Sequence, residues 1–354
     1  MVLCPYPDAK ERDMMQAHLV ELFEGQSMSE FQDWLTQQLH IPIRHIAPLA
    51  PDAGFRRYYR LQLADNTSLI AVDSPPATEN NAAFVAIAQL FAQKNLCVPT
   101  ILAADIDKGY LLLSDLGDRH YHEHLTLATA DALYGSAIEK LLHIQTIAQT
   151  QDWQFPLFNH ALLMEELTRF QEWYLVKHLQ LDLTAEDHRV LETAFTLLVN
   201  SALEQPQVCV HRDYHSRNLM VMPQNEVGIL DFQDAVWGPI TYDLVSLLRD
   251  RYFDWPAEKI SQWVLSYYAQ AQAAQLLPLS VSQAQFLQWF DWMGLQRHLK
   301  MLYIFARKWH RDHNPNYLAI MPRSLAFVKA AVQGYKEFEP LDRLLIQYRV
   351  YEEG

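Results

Sequence analysis

The chain has 354 residues, half of them hydrophobic and a fifth charged, with Lys+Arg 28 against Asp+Glu 42 and a formal charge of −14. That length exceeds one small core and suits two lobes, and the ordinary hydrophobic content argues against global disorder. The acidic balance argues against a nucleic-acid partner, because phosphate-backbone binding rests on clustered cations. Cys4, Cys97 and Cys209 are far apart and form no CxxC pair, so neither a disulfide framework nor a zinc site is expected and a cytoplasmic setting is the simplest. Fifteen histidines occur without an HExxH motif. Met1-Val2-Leu3-Cys4-Pro5 has no basic region or apolar core of a leader, and no run approaches the roughly 20 apolar residues of a membrane span.

Residues 1–26 read as a polar lead-in with some helical character. A helix is predicted from Ser29 to Leu39, with Phe31, Trp34, Leu35 and Leu39 on one face and Pro42 beyond its end. Short strands follow between Ile43 and Val72. Tyr59, Leu61 and Leu63 alternate with Tyr58, Arg60 and Gln62, and Ala64-Asp65-Asn66-Thr67 supplies a turn. A helix over 82–95 carries Phe84, Ile87, Ala88 and Phe91 on its apolar face, and 99–104 and 110–113 read as two more strands. The order predicts a small, mostly antiparallel sheet with a packed helix, ending at Leu111-Leu112-Leu113-Ser114-Asp115-Leu116-Gly117 as strand and hinge. Beyond it, helices are expected at 129–148, 161–179, 185–203 and through 240–340, interrupted by a β-rich segment at 208–232. The expected division is a nucleotide lobe over 1–116, with its helical lead-in, and a catalytic and substrate-binding lobe over 117–354. Sparse Gly and Pro suggest a tight hinge between them.

The β-rich segment holds the chemistry. Val208-Cys209-Val210 is a short buried strand leading into His211-Arg212-Asp213-Tyr214-His215-Ser216-Arg217-Asn218. Leu219–Met222 and Val227–Leu230 then form a hairpin around Pro223-Gln224-Asn225, ending at Asp231. Phosphoryl transfer needs a carboxylate to orient the attacking hydroxyl and take its proton, for which Asp213 is the candidate. It also needs hard oxygen donors for Mg²⁺, for which Asn218 and Asp231 are the candidates.

The string from His211 to Leu219 with Leu230-Asp231-Phe232-Gln233-Asp234 resembles the aminoglycoside phosphotransferase/choline kinase-like superfamily. Its extension through Trp237-Gly238-Pro239, Tyr242-Asp243 and Arg249-Asp250 is similar to the bacterial subgroup of anomeric N-acetylmuramate/N-acetylglucosamine kinases. Asp52–Leu61 and Gly294–Lys300 with Phe305-Ala306-Arg307 and Arg311-Asp312 support that subgroup, so the likeness spans roughly residues 30–330. It implies a bilobal protein-kinase-like α+β fold, with a small antiparallel-sheet N-lobe and a larger, mainly helical C-lobe. It also implies ATP and Mg²⁺, and a small amino-sugar substrate phosphorylated at its anomeric hydroxyl in peptidoglycan recycling. No membrane, nucleic-acid or obligate protein partner is implied.

One departure stands out: Ile70-Ala71-Val72-Asp73 lacks the usual strand lysine for the α/β-phosphates, and the Gly-rich loop is reduced to Gly54. Arg56, Arg57 and Arg60 are the nearest cations to replace it, with Arg57 on the opposite strand face from the other two. Leu113, in the strand entering the hinge, joins them as a nucleotide-binding candidate. Without the lysine, Glu79 reads as helix N-terminal charge rather than an ion-pair partner. Asp115 caps the hinge or faces the sugar, Asp234 supports the metal residue or touches substrate, and Asp243 is an N-cap or a brace to the catalytic loop. Arg217 is a further substrate candidate. Arg297, His298, Lys300, Arg307, Lys308 and Arg311 form a basic cluster on a helix over 286–311, either solvated surface or, through Arg297, Arg307 and Arg311, a carboxylate-recognising set. Another small-molecule phosphotransferase shares every catalytic residue, and a non-catalytic pseudokinase is suggested only by the missing lysine.

Overall fold

The computed structural model describes residues 29–49, 55–151, 153–313 and 315–352. The lead-in of 1–26, Cys4 and the segment Asp52-Ala53-Gly54 lie outside the described residues. The chain divides into two units. One runs through Arg119 and includes Met220–Asp234; the other holds His120–Leu219 and Ala235 onward.

The first unit is built on a five-stranded sheet of order β1-β2-β3-β5-β4, antiparallel throughout: β1 (Ile43–Pro48), β2 (Arg57–Leu63), β3 (Ser68–Asp73), β4 (Ile101–Asp105) and β5 (Tyr110–Ser114). The predicted first helix, α1 (Ser29–Gln38), lays Phe31, Trp34 and Leu35 on Leu61, Leu63, Leu69, Ala71 and Leu112. Each fully buried side chain of this kind contributes roughly 1.5–3 kcal/mol. Strand alternation then leaves the other face to the intervening residues, and the register sets Arg60 and Leu113 beside Ile70 on it. On the α1 side, Arg57 stands directly opposite Asp73.

Helix α2 (Asn81–Gln93) starts at Asn80, whose side chain accepts the Ala83 N–H at 3.0 Å. Its buried Phe84 and Phe91 pack on Phe232 at 5.0 and 5.6 Å, which anchors the residue immediately after Asp231. The predicted hairpin forms from β7 (Leu219–Val221) and β8 (Val227–Ile229). Gly228 is required there, because a Cβ would lie 2.9 Å from that of Met220.

The second unit is mainly helical. It contains α3 (Tyr121–His124), α4 (Ala130–Gln145), α5 (His160–Arg169), α6 (Ala185–Glu204), α7 (Tyr242–Leu248), α8 (Ala257–Ala273), α9 (Gln283–Asp312), α10 (Met321–Gln333) and α11 (Glu339–Gln347). The sequence predicts one α-helix over 161–179, but α5 passes at Phe170 into a π-helical stretch that lasts to His178. A strand absent from the sequence reading, β9 (Val236–Pro239), pairs with β6 (Gln207–Val210). Four residues ending in Gly-Pro show no alternation to reveal it; the pairing partner defines it. Among the described residues no helix is long and apolar enough to cross a membrane.

Candidate active site

The loop after β6 is held from three sides. Asp243, in the first turn of α7, accepts the N–H groups of His211 at 2.6 Å and Arg212 at 3.0 Å. Asp243 is therefore a brace; the N-cap position of α7 belongs to Thr241. Burial pushes its carboxyl up to about 7, against the pull of the His211 N–H, Arg297 and the Arg212 N–H. Buried Tyr214 donates its hydroxyl to the Ala137 carbonyl at 2.8 Å. Ser216 donates both its N–H and its hydroxyl to Asp250. The backbone also takes a costly turn, with Arg212 in the left-handed region at φ 76°. These anchors bury His211, Tyr214, His215 and Ser216 and leave Asp213, Arg217 and Asn218 turned outward. Asn218 donates its amide N–H to the Asp213 carbonyl at 3.0 Å, which ties the two ends of the loop together.

Behind Asp213 lies a cationic wall. Arg297 on α9 places a guanidinium nitrogen 3.8 Å from the carboxylate and donates to the Arg212 carbonyl at 3.2 Å and the Tyr242 hydroxyl at 3.3 Å. Lys300, one turn on, reaches Glu166 at 2.6 Å and the Tyr242 hydroxyl at 3.1 Å. Arg212 approaches the same Glu166 at 3.6 Å. The Asp213 side chain stays half exposed while that of Arg297 is 8% exposed, so the carboxylate meets solvent and the guanidinium behind it does not. Desolvation raises the Asp213 carboxyl, but Arg297, then His215, Lys300 and Arg212, outweigh it and hold the group well below the usual carboxylate range.

In the first unit the predicted phosphate-binding arginines all face acids. Arg56 is buried and pairs with Glu79 at 3.1 Å, while its Nε donates to Ser74 at 3.2 Å. This corrects the reading of Glu79 as mere helix-terminal charge: Glu79 is an ion-pair partner, and it also accepts the Phe55 N–H at 2.9 Å. Arg57 pairs with its cross-strand neighbour Asp73. Arg60 engages Asp115 at 2.6 Å and also Asp118. Asp115 further accepts Ser68 Oγ–H and the Gly117 N–H, with Gly117 at φ 85°. Asp115 is thus engaged by three donors within the first unit. Leu113 is buried in β5. Asp231, at φ 62°, accepts a hydrogen bond from the Gln233 amide at 2.7 Å, and Asp234 is exposed.

The basic cluster of α9 splits. Arg297, His298 and Lys300 lie inward, so solvated surface is wrong for them. Arg311 is exposed and pairs with its neighbour Asp312 at 2.6 Å, and Arg307 lies over Tyr303 at 5.9 Å. Neither Arg307 nor Arg311 joins the group around Asp213, because helical spacing carries them more than two turns past Arg297. Arg217 is exposed on the loop, over Tyr252 at 4.4 Å. The sequence reading missed Glu166, and named Asp250 only as part of the family string, without a role. Glu166 carries a usable signal: it occupies a core position of α5 in the i, i+3, i+4, i+7 series Leu163, Glu166, Leu167, Phe170. A buried acid in that series needs a cation nearby.

Residues 45–279 match the family described as phosphotransferase enzyme family. The chain is similar to the N-acetylmuramate/N-acetylglucosamine kinase of Pseudomonas aeruginosa, at 42% identity over 305 residues, 86% of this chain and 89% of that protein. Its likeness to the kinase of the same name from Pseudomonas putida is 40% over 324 residues, 89% and 94% of the two chains. A solved Plasmodium vivax ethanolamine kinase superposes with a TM-score of 0.61 at 10% identity, over 94% of this chain and 96% of that one, which shows the protein-kinase-like fold. An antiparallel sheet, a pinned loop carrying Asp213 and Asn218, and this degree of identity converge: the chain belongs to the phosphotransferase enzyme family.

Proposed function

We propose that this protein is an ATP- and Mg²⁺-dependent cytoplasmic kinase that phosphorylates the anomeric hydroxyl of N-acetylmuramate and/or N-acetylglucosamine in peptidoglycan recycling. The observation that carries the acceptor is the 42% identity over 89% of the Pseudomonas aeruginosa kinase named for those sugars. Asp213 orients the acceptor hydroxyl and receives its proton. A carboxylate held so far below its usual range is a weak base, which suits a loose transition state that asks for late proton transfer and accurate positioning.

Asn218 and Asp231 are the residues proposed to hold Mg²⁺. Among the described residues no three His, Cys, Asp or Glu side chains form a metal cage. One amide and one carboxylate fit Mg²⁺ all the same, since that ion takes most of its remaining ligands from water and substrate phosphates. When bound, the ion neutralises charge on the triphosphate. We assign the clamp that replaces the missing strand lysine to Arg56, buried and oriented by Glu79, and the apolar wall for the base to Leu113 beside Ile70. Arg56→Ala is expected to raise the KM for ATP about tenfold to a hundredfold, the loss of a charge-assisted hydrogen bond. Arg57→Ala, at a half-exposed cross-strand pair, is expected to change it less. An equal response of the two variants in ATP titrations would remove the assignment.

The acceptor is tested by measuring ATP consumption with amino sugars, hexoses, aminoglycosides and choline in parallel. Turnover confined to N-acetylmuramate and N-acetylglucosamine is expected; a preference for an aminoglycoside or choline would overturn the reading.

A further inference from the structure

Arg217 and Arg251 are brought together by the same device that pins the catalytic loop. Asp250 accepts two hydrogen bonds from Ser216, so the residues that follow each of them, Arg251 and Arg217, become neighbours. Both guanidiniums lie over the Tyr252 ring, at 4.7 and 4.4 Å, and Arg251 donates to the Tyr252 hydroxyl at 2.6 Å. Among the described residues neither forms an ion pair with a carboxylate, in a chain where acids outnumber Lys and Arg by 42 to 28 and where Arg56, Arg57, Arg60, Arg212, Arg249 and Arg297 all do. Arg323 adds a third guanidinium, donating to the Arg251 carbonyl at 3.3 Å. Arg323 has a carboxylate partner in Asp254 at 3.5 Å, so the charge without one is that of Arg217 and Arg251.

We propose that Arg217 and Arg251, stacked on Tyr252, bind a carboxylate on the acceptor and so favour N-acetylmuramate, with its lactyl carboxylate, over N-acetylglucosamine. This rests on the acceptor reading above. The two sugars differ by that one acidic substituent, and a chain of net charge −14 repels an anionic acceptor unless local cations receive it. Planar guanidiniums match the two oxygens of a carboxylate, and both rest over the one Tyr252 ring. Arg297 cannot take this role, being engaged by Asp213, the Arg212 carbonyl and Tyr242.

The test compares kcat/KM for N-acetylmuramate, its carboxyl-amidated form and N-acetylglucosamine, on the wild-type protein and on Arg251→Gln. For the wild type, amidation is expected to lower kcat/KM about tenfold to a hundredfold, the range for a hydrogen bond to a charged group. Arg251→Gln is expected to lose tenfold or more on N-acetylmuramate relative to N-acetylglucosamine and to discriminate no further against the amide, and Arg251→Lys to recover part of the loss. Equal losses on both sugars would overturn the proposal and assign the guanidiniums to the transferred phosphoryl group. A wild-type protein indifferent to amidation would overturn it without any variant. Activity on neither sugar would overturn the acceptor reading itself, and this inference with it.

Discussion

Asp213→Asn is expected to fold, to bind nucleotide as the wild type does, and to lose about 100- to 10,000-fold in kcat. That loss corresponds to about 3–5.5 kcal/mol of transition-state stabilisation. The amide keeps the size of the side chain and a carbonyl oxygen, but it can neither take a proton nor answer the field of Arg297, His215, Lys300 and Arg212. The pH dependence follows from the same wall. A depressed carboxyl contributes stability above its unfolded pKa and loses it only as the pH falls through the lower, folded value. Asp213 is therefore ionised throughout the neutral range, and an acid limb in the rate near pH 7 would have another origin. Asp243, with its carboxyl at about 7 and its two hydrogen bonds to the loop backbone, is the group placed to supply one. Turnover of Asp213→Asn within tenfold of wild type would refute the role of the carboxylate.

The second large effect concerns stability. Glu166→Ala removes the carboxylate that Lys300 reaches at 2.6 Å and Arg212 at 3.6 Å, in a position where the Glu166 side chain is 4% exposed. Breaking a buried pair from one side costs about 3–5 kcal/mol, because the remaining charge stays buried. At roughly 2–4 °C per kcal/mol, the thermal midpoint should fall on the order of 10 °C. Burial opposes the Lys300 charge, but Tyr242 and Glu166 together hold the ammonium above the ordinary lysine value. This stability is present below the ordinary lysine pKa and is lost only as the pH rises through the raised folded value, so the variant is weakened across the neutral range. The double variant Glu166→Met, Lys300→Met is expected to be more stable than Glu166→Ala alone, since it leaves no uncompensated ammonium. A midpoint for Glu166→Ala within 2 °C of wild type would contradict the account.

Much of the architecture is local enough to be legible in sequence. The face of α1, the alternation in β2 and the hairpin around Pro223 each depend on periodicity or turn chemistry, and all three form. The loop itself is legible because its residue types are dictated by phosphoryl-transfer chemistry. What sequence could not supply is long-range partnership. Arg56 and Glu79 stand 23 positions apart, and their pairing depends on where α2 begins. Asp115 takes its partners Arg60 and Ser68 from strands 55 and 47 positions away, which no local pattern announces. The α9 cluster looked uniform as a string. Its helix buries one side, so Arg297 and Lys300 join Asp213 while Arg311 stays in water with Asp312. Glu166 and Asp250 follow the same logic, since an acid becomes an anchor only when the fold delivers its donor.

The central claim is phosphorylation of an amino sugar at its anomeric position, and the most direct measurement is ³¹P and ¹H NMR of the product formed from ATP, Mg²⁺ and N-acetylmuramate. The account predicts a single sugar phosphate whose phosphorus couples to the anomeric proton. A phosphate on any other hydroxyl, or ADP formed without a sugar phosphate, would contradict it.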